Sequence, residues 1–466
     1  MGPECTPTGR GVSEAPLETA ERALALAGAG DFQVTVVRER SLMSRFARSA
    51  PTQATEVDDT SVEILVVRDG HTALASTNRL DDDALQATAR RADAAARASA
   101  TAGPGGYPGL ADPAPQPPTQ GFDADTARLD PALAGSALRT AFAVAAEHGL
   151  EAFGTWTAGA VRTAIASSTG VRLDEEVSDA FMKVICRAED GRSGFASATA
   201  PAAAGIDPET VARRAASKIS DDPLAELGPG SYPVVLEPEA VAVLLEFLGA
   251  LALNGLAHVE DRGALSGRLA ARVAAPAIDL ADLPSSARTL PRGFDLEGVP
   301  KAPLQLIRDG VAEAVAHDRR SAALAGGATR STGHATQPGG SPYGPVPTNL
   351  VLRGGDATGV ADLAAPIERG IYVTRLWYVN AVREKETLLT GMTREGTFII
   401  EDGAITRPLR DVRFTDSILR LLEATEALTT EQRLVSEGEF YGRRFAQGAV
   451  CPALRAHGFR VTGATT

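Results

Sequence analysis

The feature that most constrains the fold is a change of pattern at residues 221–233, where the sequence reads DDPLAELGPGSYP. Proline and glycine at this density interrupt regular structure, so the stretch predicts a domain boundary. Helical and strand-like segments precede it, whereas short strand-like segments with glycine-rich turns follow it. The pattern predicts an α+β protein with two domains: an N-terminal mixed α/β domain (1–225) and a C-terminal β-rich, barrel-like domain (226–466).

Local signals predict several elements of the first part. Asp69-Gly70 lies between two apolar runs and is typical of a hairpin turn. Asp207-Pro208 is typical of a helix start, because aspartate caps and proline suits the first turn. The proline- and glycine-rich residues 103–120 are expected to form a long surface loop. The predicted helices are 17–26, 83–98, 131–148 and 207–219, and the predicted strands are 32–36, 62–67, 71–76, 152–158, 161–167, 171–176 and 181–188.

The second part begins with a predicted strand at 234–236 and a strongly apolar helix at 240–253. Glu246 is the only charged residue in the run AVAVLLEFLGALAL. It marks either a solvent-facing helix position or a polar group that faces a cleft or a partner subunit. Short strands with glycine-rich turns follow, and a late helix is predicted at 416–427.

Composition excludes several classes of protein. The formal net charge of −13 argues against nucleic acid or an anionic membrane surface as the main partner. No apolar run reaches the roughly 18 to 20 residues of a membrane span, and the first residues lack the apolar core of a secretory signal. Cys5, Cys186 and Cys451 are widely spaced and form no CxxC pair, so a reducing compartment, the cytoplasm, is expected.

The sequence contains no complete catalytic motif of the common enzyme classes. It has no GxxxxGK[ST] loop, no GxSxG elbow and no HExxH helix. His258, Glu260 and Asp261 lie close enough for two of them to share one face of a strand, so a metal site there is geometrically feasible. A third ligand would have to come from elsewhere, and the alternative is a surface histidine beside solvated acids.

Two further segments carry candidate binding residues. His334 lies in STGHATQPGGS, which reads as a flexible polar loop where the histidine could contact a ligand or cap backbone groups. The segment RLWYVN (residues 375–380) combines arginine, tryptophan and tyrosine, a combination favoured at interfaces and in peptide clefts. A core strand is the alternative for this segment, and an exposed strand edge here could accept an extended peptide.

Several segments of the second part, taken in order, carry a family resemblance. They are LGPGSYPVVLEPEAVAVLL (from Leu227), FDLEGVP (from Phe294), LIRDGV (from Leu306), RSTGHA (from Arg330), PTNLVLRGG (from Pro347) and IERGIYV (from Ile367). Together they resemble the TldD/TldE family, in which TldE is also called PmbA. RLWYVN, LTGMTREGTFIIEDGAI and VRFTDS are most similar to the TldE branch. The similarity extends over about residues 150–466, and the order and spacing of the segments make it specific.

The resemblance implies a subunit of a zinc-dependent peptidase. In this family the TldD subunit carries an HExxxH helix and a later cysteine as zinc ligands. TldE pairs with TldD as a heterodimer whose chamber admits small or unfolded peptides. A zinc-activated water is the expected nucleophile in the TldD subunit.

When the family's motif is compared with this chain residue by residue, the resemblance implies that the metal ligands are missing. The HExxxH helix corresponds to LLEFLGAL, which places Glu246 and Leu251 at the two histidine positions and Phe247 at the glutamate position. The cysteine ligand corresponds to Tyr441-Gly442-Arg443, and Cys451 lies about ten residues later. Leucine and phenylalanine cannot ligate zinc. The resemblance therefore implies no catalytic residue, metal or cofactor in this chain, and zinc in a TldD-like partner.

Three functional hypotheses follow. The first is a non-catalytic TldE-like subunit that pairs with a TldD-like metallopeptidase acting on peptides. The second is a self-sufficient hydrolase with an unrecognised site, such as His258 with Glu260. The third is a homodimeric peptide-binding protein without hydrolysis. The residues expected in a substrate cleft or at the subunit interface are Trp377, Tyr378, Asn380, Arg394, Arg413 and His334.

Overall fold

The computed structural model describes residues 14–436, 438 and 442–464 of the 466-residue chain, so Cys5 and Tyr441 lie outside the described residues. The helices are α1 (Pro16–Ala27), α2 (Asp82–Ala100), α3 (Pro131–Glu147), α4 (Pro208–Ala216), α5 (Pro238–Leu251), α6 (Gly255–Val259), α7 (Arg319–Ala325), α8 (Val360–Ala364) and α9 (Ile418–Glu423). The strands are β1 (Asp31–Ala47), β2 (Ala50–Arg68), β3 (His71–Thr77), β4 (Glu151–Ser167), β5 (Arg172–Arg187), β6 (Ser193–Ala200), β7 (Gly230–Leu236), β8 (Leu280–Asp282), β9 (Leu304–Arg308), β10 (Val311–Ala312), β11 (Asn349–Leu352), β12 (Arg369–Arg383), β13 (Leu388–Glu401), β14 (Ala404–Pro408), β15 (Val412–Ser417), β16 (Thr425–Val435) and β17 (Gly448–Ala464). The predicted mixture of helices and strands is confirmed.

Strands β1 to β6 form the N-terminal sheet, in the order β3-β2-β1-β4-β5-β6 with antiparallel neighbours throughout. The predicted hairpin is confirmed, because Asp69 and Gly70 join β2 to β3 with positive φ angles of 49° and 75°, as a tight hairpin turn requires. Two strands predicted on either side of Gly159 form the single strand β4. Gly159 is not a turn residue but a place where another side chain approaches the strand closely.

Helices α1 to α4 cover one face of the N-terminal sheet. Helix α4 begins with the predicted aspartate cap, because the Asp207 side chain accepts a hydrogen bond from Glu209 N. The Asp81 and Asp130 side chains cap α2 and α3 in the same way. The sheet residues beneath the helices are apolar and alternate along the strands. They include Phe32, Val34, Val36, Leu42, Val62, Ile64, Trp156, Met182 and Val184.

The opposite face of the N-terminal sheet carries many polar residues among apolar ones such as Leu65, Ile165 and Val177, and it is buried as well. Its polar residues include Gln33, Thr35, Glu39, Ser41, Thr157, Thr163, Glu175 and Asp179. Buried polar groups need hydrogen-bond partners, and the second half of the chain supplies them. Gln33 Nε2 donates to Leu296 O at 2.8 Å, and Gly293 N donates to Glu175 Oε2 at 2.6 Å.

Strands β7 to β17 form the C-terminal sheet, whose main path is β10-β9-β8-β11-β17-β15-β13-β12-β7. Strand β7 pairs with β12 in parallel and with β17 antiparallel, so β7, β12, β13, β15 and β17 pair in a closed ring. Helix α5 belongs to the large apolar core of this region, together with α9 and the inward-facing residues of the ring. The division at residue 225 and the barrel-like description of the second domain stay predictions.

The proline- and glycine-rich loop has no helix or strand, as predicted, and it connects the two halves. Gly105 N donates to Asp69 O at 2.8 Å, and Arg319 Nε donates to Gly109 O at 2.9 Å. The predicted late helix at 416–427 is wrong at both ends, since Asp416 and Ser417 belong to β15 and β16 begins at Thr425. Helix α9 ends at Glu423, because residues from Thr425 onward pair with β17 and strand pairing overrides local helix propensity. Among the described residues, no helix is long and apolar enough to cross a membrane.

Candidate functional site

Helix α5 occupies the place that the family resemblance assigns to metal binding. It is apolar because it is a core element, with Leu245 and Leu248 fully buried. Glu246 is exposed, Phe247 is half-buried against the core and Leu251 is buried. A phenyl ring and an isobutyl group offer zinc no lone pair, and the remaining carboxylate cannot complete a tetrahedral site. The residues on this helix therefore do not fit a zinc ion.

The segment that the resemblance assigns to the third ligand lies on the polar face of the N-terminal sheet. Tyr441 is outside the described residues, whereas Gly442 and Arg443 are described. Arg443 Nη1 lies 3.4 Å from Glu63 Oε1 on β2. The segment thus joins the C-terminal half to the first sheet.

Arg444 anchors this segment in a buried polar socket. Its Nε and Nη2 atoms donate to the two carboxylate oxygens of Asp179 at 2.8 and 2.7 Å, and both side chains are only 2% exposed. Nη1 donates to Thr157 Oγ1 at 2.9 Å, and the backbone N–H donates to Glu39 Oε2 at 2.7 Å. A Cβ at Gly159 would lie 2.7 Å from Arg444 Nε, so glycine there makes room for the guanidinium.

Four of the predicted cleft or interface residues share the outer face of β12, β13 and β15. Trp377 pairs with Met392, and Met392 pairs with Arg413. Directly opposed residues on neighbouring strands point to the same side of a sheet. Arg394 lies two residues from Met392 on the same side, with its guanidinium 5.5 Å from the Trp377 ring centroid. We call Trp377, Asn380, Met392, Arg394 and Arg413 the arginine–aromatic face.

A bulge at Tyr378 brings Asn380 onto this face. The pairing shifts between Trp377 and Asn380, so two residues three positions apart face the same side. Tyr378 has a φ of 50°, an uncommon value for a bulky residue, and it is 73% exposed. Its ring contacts the Trp377 ring edge-on at 5.9 Å. An exposed tyrosine held in a strained backbone is available for contact with another molecule.

Arg375 connects the arginine–aromatic face to the N-terminal sheet. Its guanidinium lies 4.2 Å from the Phe195 ring of β6 and 4.6 Å from the Trp377 ring. It also forms a 2.9 Å ion pair with Glu395, and both of these side chains are largely buried. Stacking of this kind between a cation and two rings is stabilising, and it fixes the position of Trp377.

His334 is not on this face, and its predicted setting in a flexible loop is wrong, because its side chain is fully buried. Nδ1 is 2.8 Å from Thr332 Oγ1, and Nε2 is 3.3 Å from Asp282 Oδ1. Lys301 Nζ lies 3.6 Å from the same oxygen. Burial raises the pKa of Asp282, but the charges of Lys301 and His334 outweigh it and hold the pKa well below its usual range. Burial, with the charge of Lys301, lowers the pKa of His334.

The order hydroxyl, imidazole and carboxylate at Thr332, His334 and Asp282 resembles a nucleophile relay, but the geometry excludes a nucleophilic hydroxyl. Thr332 Oγ1 accepts from His317 N at 2.8 Å and lies 3.1 Å from His317 O, so its proton has a backbone acceptor. The adjoining cavity measures about 10 Å³, room for about one water. A cavity of this size does not hold a peptide substrate.

Three buried acids lie next to this site. Burial, with the charge of Asp295, raises the pKa of Glu297 to about 8. Burial also raises the pKa of Asp295 to about 6. Tyr107 Oη donates to Glu297 Oε1 at 2.9 Å, and Arg319 N donates to Oε2 at 2.8 Å. Asp318 adds a further carboxylate that works to raise the pKa of Glu297.

A second buried polar junction ties α4 to the start of α5. Lys218 Nζ contacts Glu237 and the Tyr372 hydroxyl, and it lies 3.1 Å from Thr374 Oγ1. Burial lowers the pKa of Lys218, against the opposing charge of Glu237. Beside it, burial and then the charge of Glu237 raise the pKa of Glu239 to about 7. The cluster joins residues from both halves of the chain.

The alternative histidine site is not assembled as a metal centre. His258 is half-buried on α6, and Glu260 forms a 2.7 Å ion pair with Arg262. Asp261 pairs with Lys385 at 3.0 Å. Among the described residues, no three histidine, cysteine, aspartate or glutamate side chains form a group that could hold a metal ion.

Sequence reasoning missed Arg444, Asp179, Asp282 and Lys301. One signal was available, because polar residues alternate with apolar ones along β1 through Gln33, Thr35, Glu39 and Ser41. This pattern reads as a solvent-facing side unless another part of the chain is known to cover it.

Three sequence models of one protein family match the chain. They are domain 1 of PmbA/TldA metallopeptidases over residues 33–96, the central domain over 122–221 and the C-terminal domain over 229–463. A metalloprotease of Methanothermobacter thermautotrophicus is 26% identical over 208 residues, so this chain spans 44% of that relative's length and the match covers 44% of this chain.

Solved structures share the fold over nearly the whole chain. TldE from Thermococcus kodakarensis superposes with a TM-score of 0.82 at 19% identity, covering 96% of this chain and 100% of that one. A protein described as a modulator of a DNA gyrase, from Thermotoga maritima, has a TM-score of 0.80 at 20% identity, covering 95% and 99%. A similarly described protein from Bacteroides thetaiotaomicron has a TM-score of 0.78 at 19% identity, and the match covers 96% of this chain and 98% of that one.

Proposed function

The chain belongs to the PmbA/TldD metallopeptidase family, and from that premise we propose that it is the non-catalytic, TldE-like subunit of a heterodimeric peptidase. Its partner is a TldD-like chain that holds the zinc ion, and the substrates are small or unfolded peptides in the cytoplasm. This chain helps to form the substrate chamber and stabilises the partner. The TldE fold of a solved relative supports the proposal.

One observation carries the proposal. Helix α5 is the segment that the family resemblance aligns with the metal-binding helix, and by that alignment Phe247 stands at the position of the base and Leu251 at that of a ligand. Both side chains belong to or contact the C-terminal core. A core helix that has exchanged metal ligands for packing residues is suited to supporting a partner's site.

We predict that zinc binding and peptidase activity require co-expression of this chain with a TldD-like partner. Because Glu246 is exposed and the Phe247 and Leu251 side chains cannot ligate zinc, Glu246→Ala in this chain should leave the activity of the pair unchanged within about twofold. The measurement is metal content by mass spectrometry and hydrolysis of an unstructured peptide, with each subunit alone as control. Stoichiometric zinc in the purified single chain would contradict the proposal.

The arginine–aromatic face and Tyr378 are the proposed contact surface for the partner or the peptide. Aromatic and arginine anchors dominate the energetics of protein interfaces. We expect Tyr378→Ala to weaken binding of the TldD-like partner about tenfold or more, as measured by titration calorimetry. Tyr343→Ala is the matched control, since Tyr343 is 83% exposed and lies outside this face. Equal affinities for both variants would remove Tyr378 from the interface.

The two alternatives make different predictions. A self-sufficient hydrolase predicts activity of the pure chain that is lost in His258→Ala. If the chain is a homodimeric peptide-binding protein, it should form a stable dimer that does not associate with an added TldD-like chain. Light scattering with and without that chain separates the homodimer from the proposed heterodimer.

A further inference from the structure

A cavity of about 460 Å³ lies between two loops that share one sequence pattern. One loop reads PGGYP (residues 104–108) and the other reads PGGSP (residues 338–342). The start of β3 and residues Arg320 and Leu324 of α7 complete the wall. We call this cavity the PGG pocket. Its volume lies within the range of small-molecule sites.

Most glycines of the pocket are explained by close packing. A Cβ at Gly105 would lie 2.1 Å from Gly70 O, and a Cβ at Gly339 would lie 2.8 Å from Leu65. Gly106 is different, because nothing lies within 4 Å of its Cβ position and its φ is not in the left-handed region. Packing therefore does not require glycine at position 106, where the absence of a side chain keeps the pocket open.

The pocket wall presents hydrogen-bond donors that the protein itself leaves unused. Among the described residues, no hydrogen bond engages the Gly106 N–H, the Gly339 N–H or the Thr72 hydroxyl, and the Arg320 guanidinium has no ion pair or hydrogen bond. The Tyr107 hydroxyl is already bound to buried Glu297. Unused donors beside an unpaired guanidinium are complementary to an oxyanion.

We propose that the PGG pocket binds the carboxylate end of a short peptide. Arg320 pairs with the carboxylate, and the Gly106 and Gly339 amides bind carbonyl or carboxylate oxygens. His71 and Arg320 also line the wall, and the lining residues include no aspartate or glutamate. An extended backbone can approach glycine-lined walls closely. The oxyanion chemistry follows from the pocket alone, whereas the choice of a peptide rests on the proposed function.

Calorimetric titration of the purified chain tests the proposal with trialanine, trialanine amide and inorganic phosphate as probes. We expect trialanine to bind and its amide to bind about tenfold more weakly, equivalent to about 1.4 kcal/mol. Arg320→Gln should weaken trialanine binding by a similar factor. Arg330→Gln is the matched control, because Arg330 is also exposed but does not line the pocket. Arg320-dependent binding of phosphate without binding of trialanine would overturn the assignment to a peptide.

Filling the pocket is an independent test. Gly106→Phe should abolish trialanine binding with an unchanged unfolding midpoint, whereas Gly228→Phe, at an exposed glycine with equally open surroundings, should bind like the unsubstituted protein. Undiminished binding by Gly106→Phe would overturn the pocket assignment.

If trialanine does not bind but the co-expressed pair hydrolyses peptides, the inference fails and the proposed function stands. If trialanine binds but no TldD-like partner associates, the proposed function fails and the oxyanion pocket stands.

Discussion

Arg444→Met is expected to destabilise the protein by about 3–5 kcal/mol, because it leaves the Asp179 carboxylate buried without its cation. The side chains are each 2% exposed, so water cannot replace the lost partner. The substitution also removes the hydrogen bond to Thr157 Oγ1. The measurement is the free energy of unfolding from urea denaturation of the purified chain.

The neighbouring arginine provides the control. Arg443 pairs with Glu63 at 3.4 Å, and both side chains are partly exposed. Arg443→Met should therefore cost no more than about 1 kcal/mol. The double variant Arg444→Met/Asp179→Leu should recover much of the loss, since an apolar pair can replace a buried ion pair at little cost. Equal effects of Arg443→Met and Arg444→Met would contradict the buried-socket interpretation.

The local elements of the first half could be read from the sequence because their signals are local. A capping aspartate before each of α2, α3 and α4 and the Asp69-Gly70 turn act within a few residues. The alternation of Phe32, Val34 and Val36 predicts a half-buried strand for the same reason. The resemblance to the TldD/TldE family is also confirmed, by family models over three regions of the chain.

What could not be read depends on contacts between distant parts of the chain. The polar side of β1 looks solvent-facing until residues near 293–296 and 442–446 cover it, more than 250 positions away. Gly159 looks like a break between strands until Arg444 is seen above it. His334 looks like a loop residue, because the Asp282 and Lys301 side chains that surround it come from other segments.

The candidate site also has a part that the sequence predicts and a part that depends on contacts between distant residues. The α5 positions Glu246, Phe247 and Leu251 came from an ordered resemblance and lie on one helix, as expected. Trp377 was singled out for the residue types of its segment, and Arg394 lies in a segment that is similar to the TldE branch. The register of β12 with β13 brings them within cation–π distance. The bulge at Tyr378, for which the sequence has no glycine or proline signal, then brings Asn380 to the same side.

Glu297→Gln is expected to remove much of the protein's loss of stability as the pH rises from about 4.5 to about 8. The Glu297 carboxyl ionises near pH 4.5 in an unfolded chain, but burial and then the charge of Asp295 raise its pKa to about 8 in the folded protein. Between these values the folded protein holds a proton that the unfolded chain has released. Raising the pH therefore favours unfolding, at a rate approaching about 1.4 kcal/mol per pH unit.

The stabilising contribution of the protonated carboxyl is thus complete below about pH 4.5 and is lost as the pH rises through about 8. Glutamine stays neutral and can keep both contacts, since its oxygen accepts from Arg319 N and its amide donates to the Tyr107 hydroxyl. We expect the free energies of unfolding of wild type and Glu297→Gln to diverge in favour of the variant between about pH 5.5 and about pH 8.5. Asp295, whose pKa is raised to about 6, leaves a smaller slope at the acid end. Glu313→Gln, at a partly exposed ion pair with Arg308, is the control, and its free energy of unfolding should change with pH as that of wild type does. If the curve of Glu297→Gln is also parallel to that of wild type, Glu297 is ionised in the folded protein and the prediction is wrong.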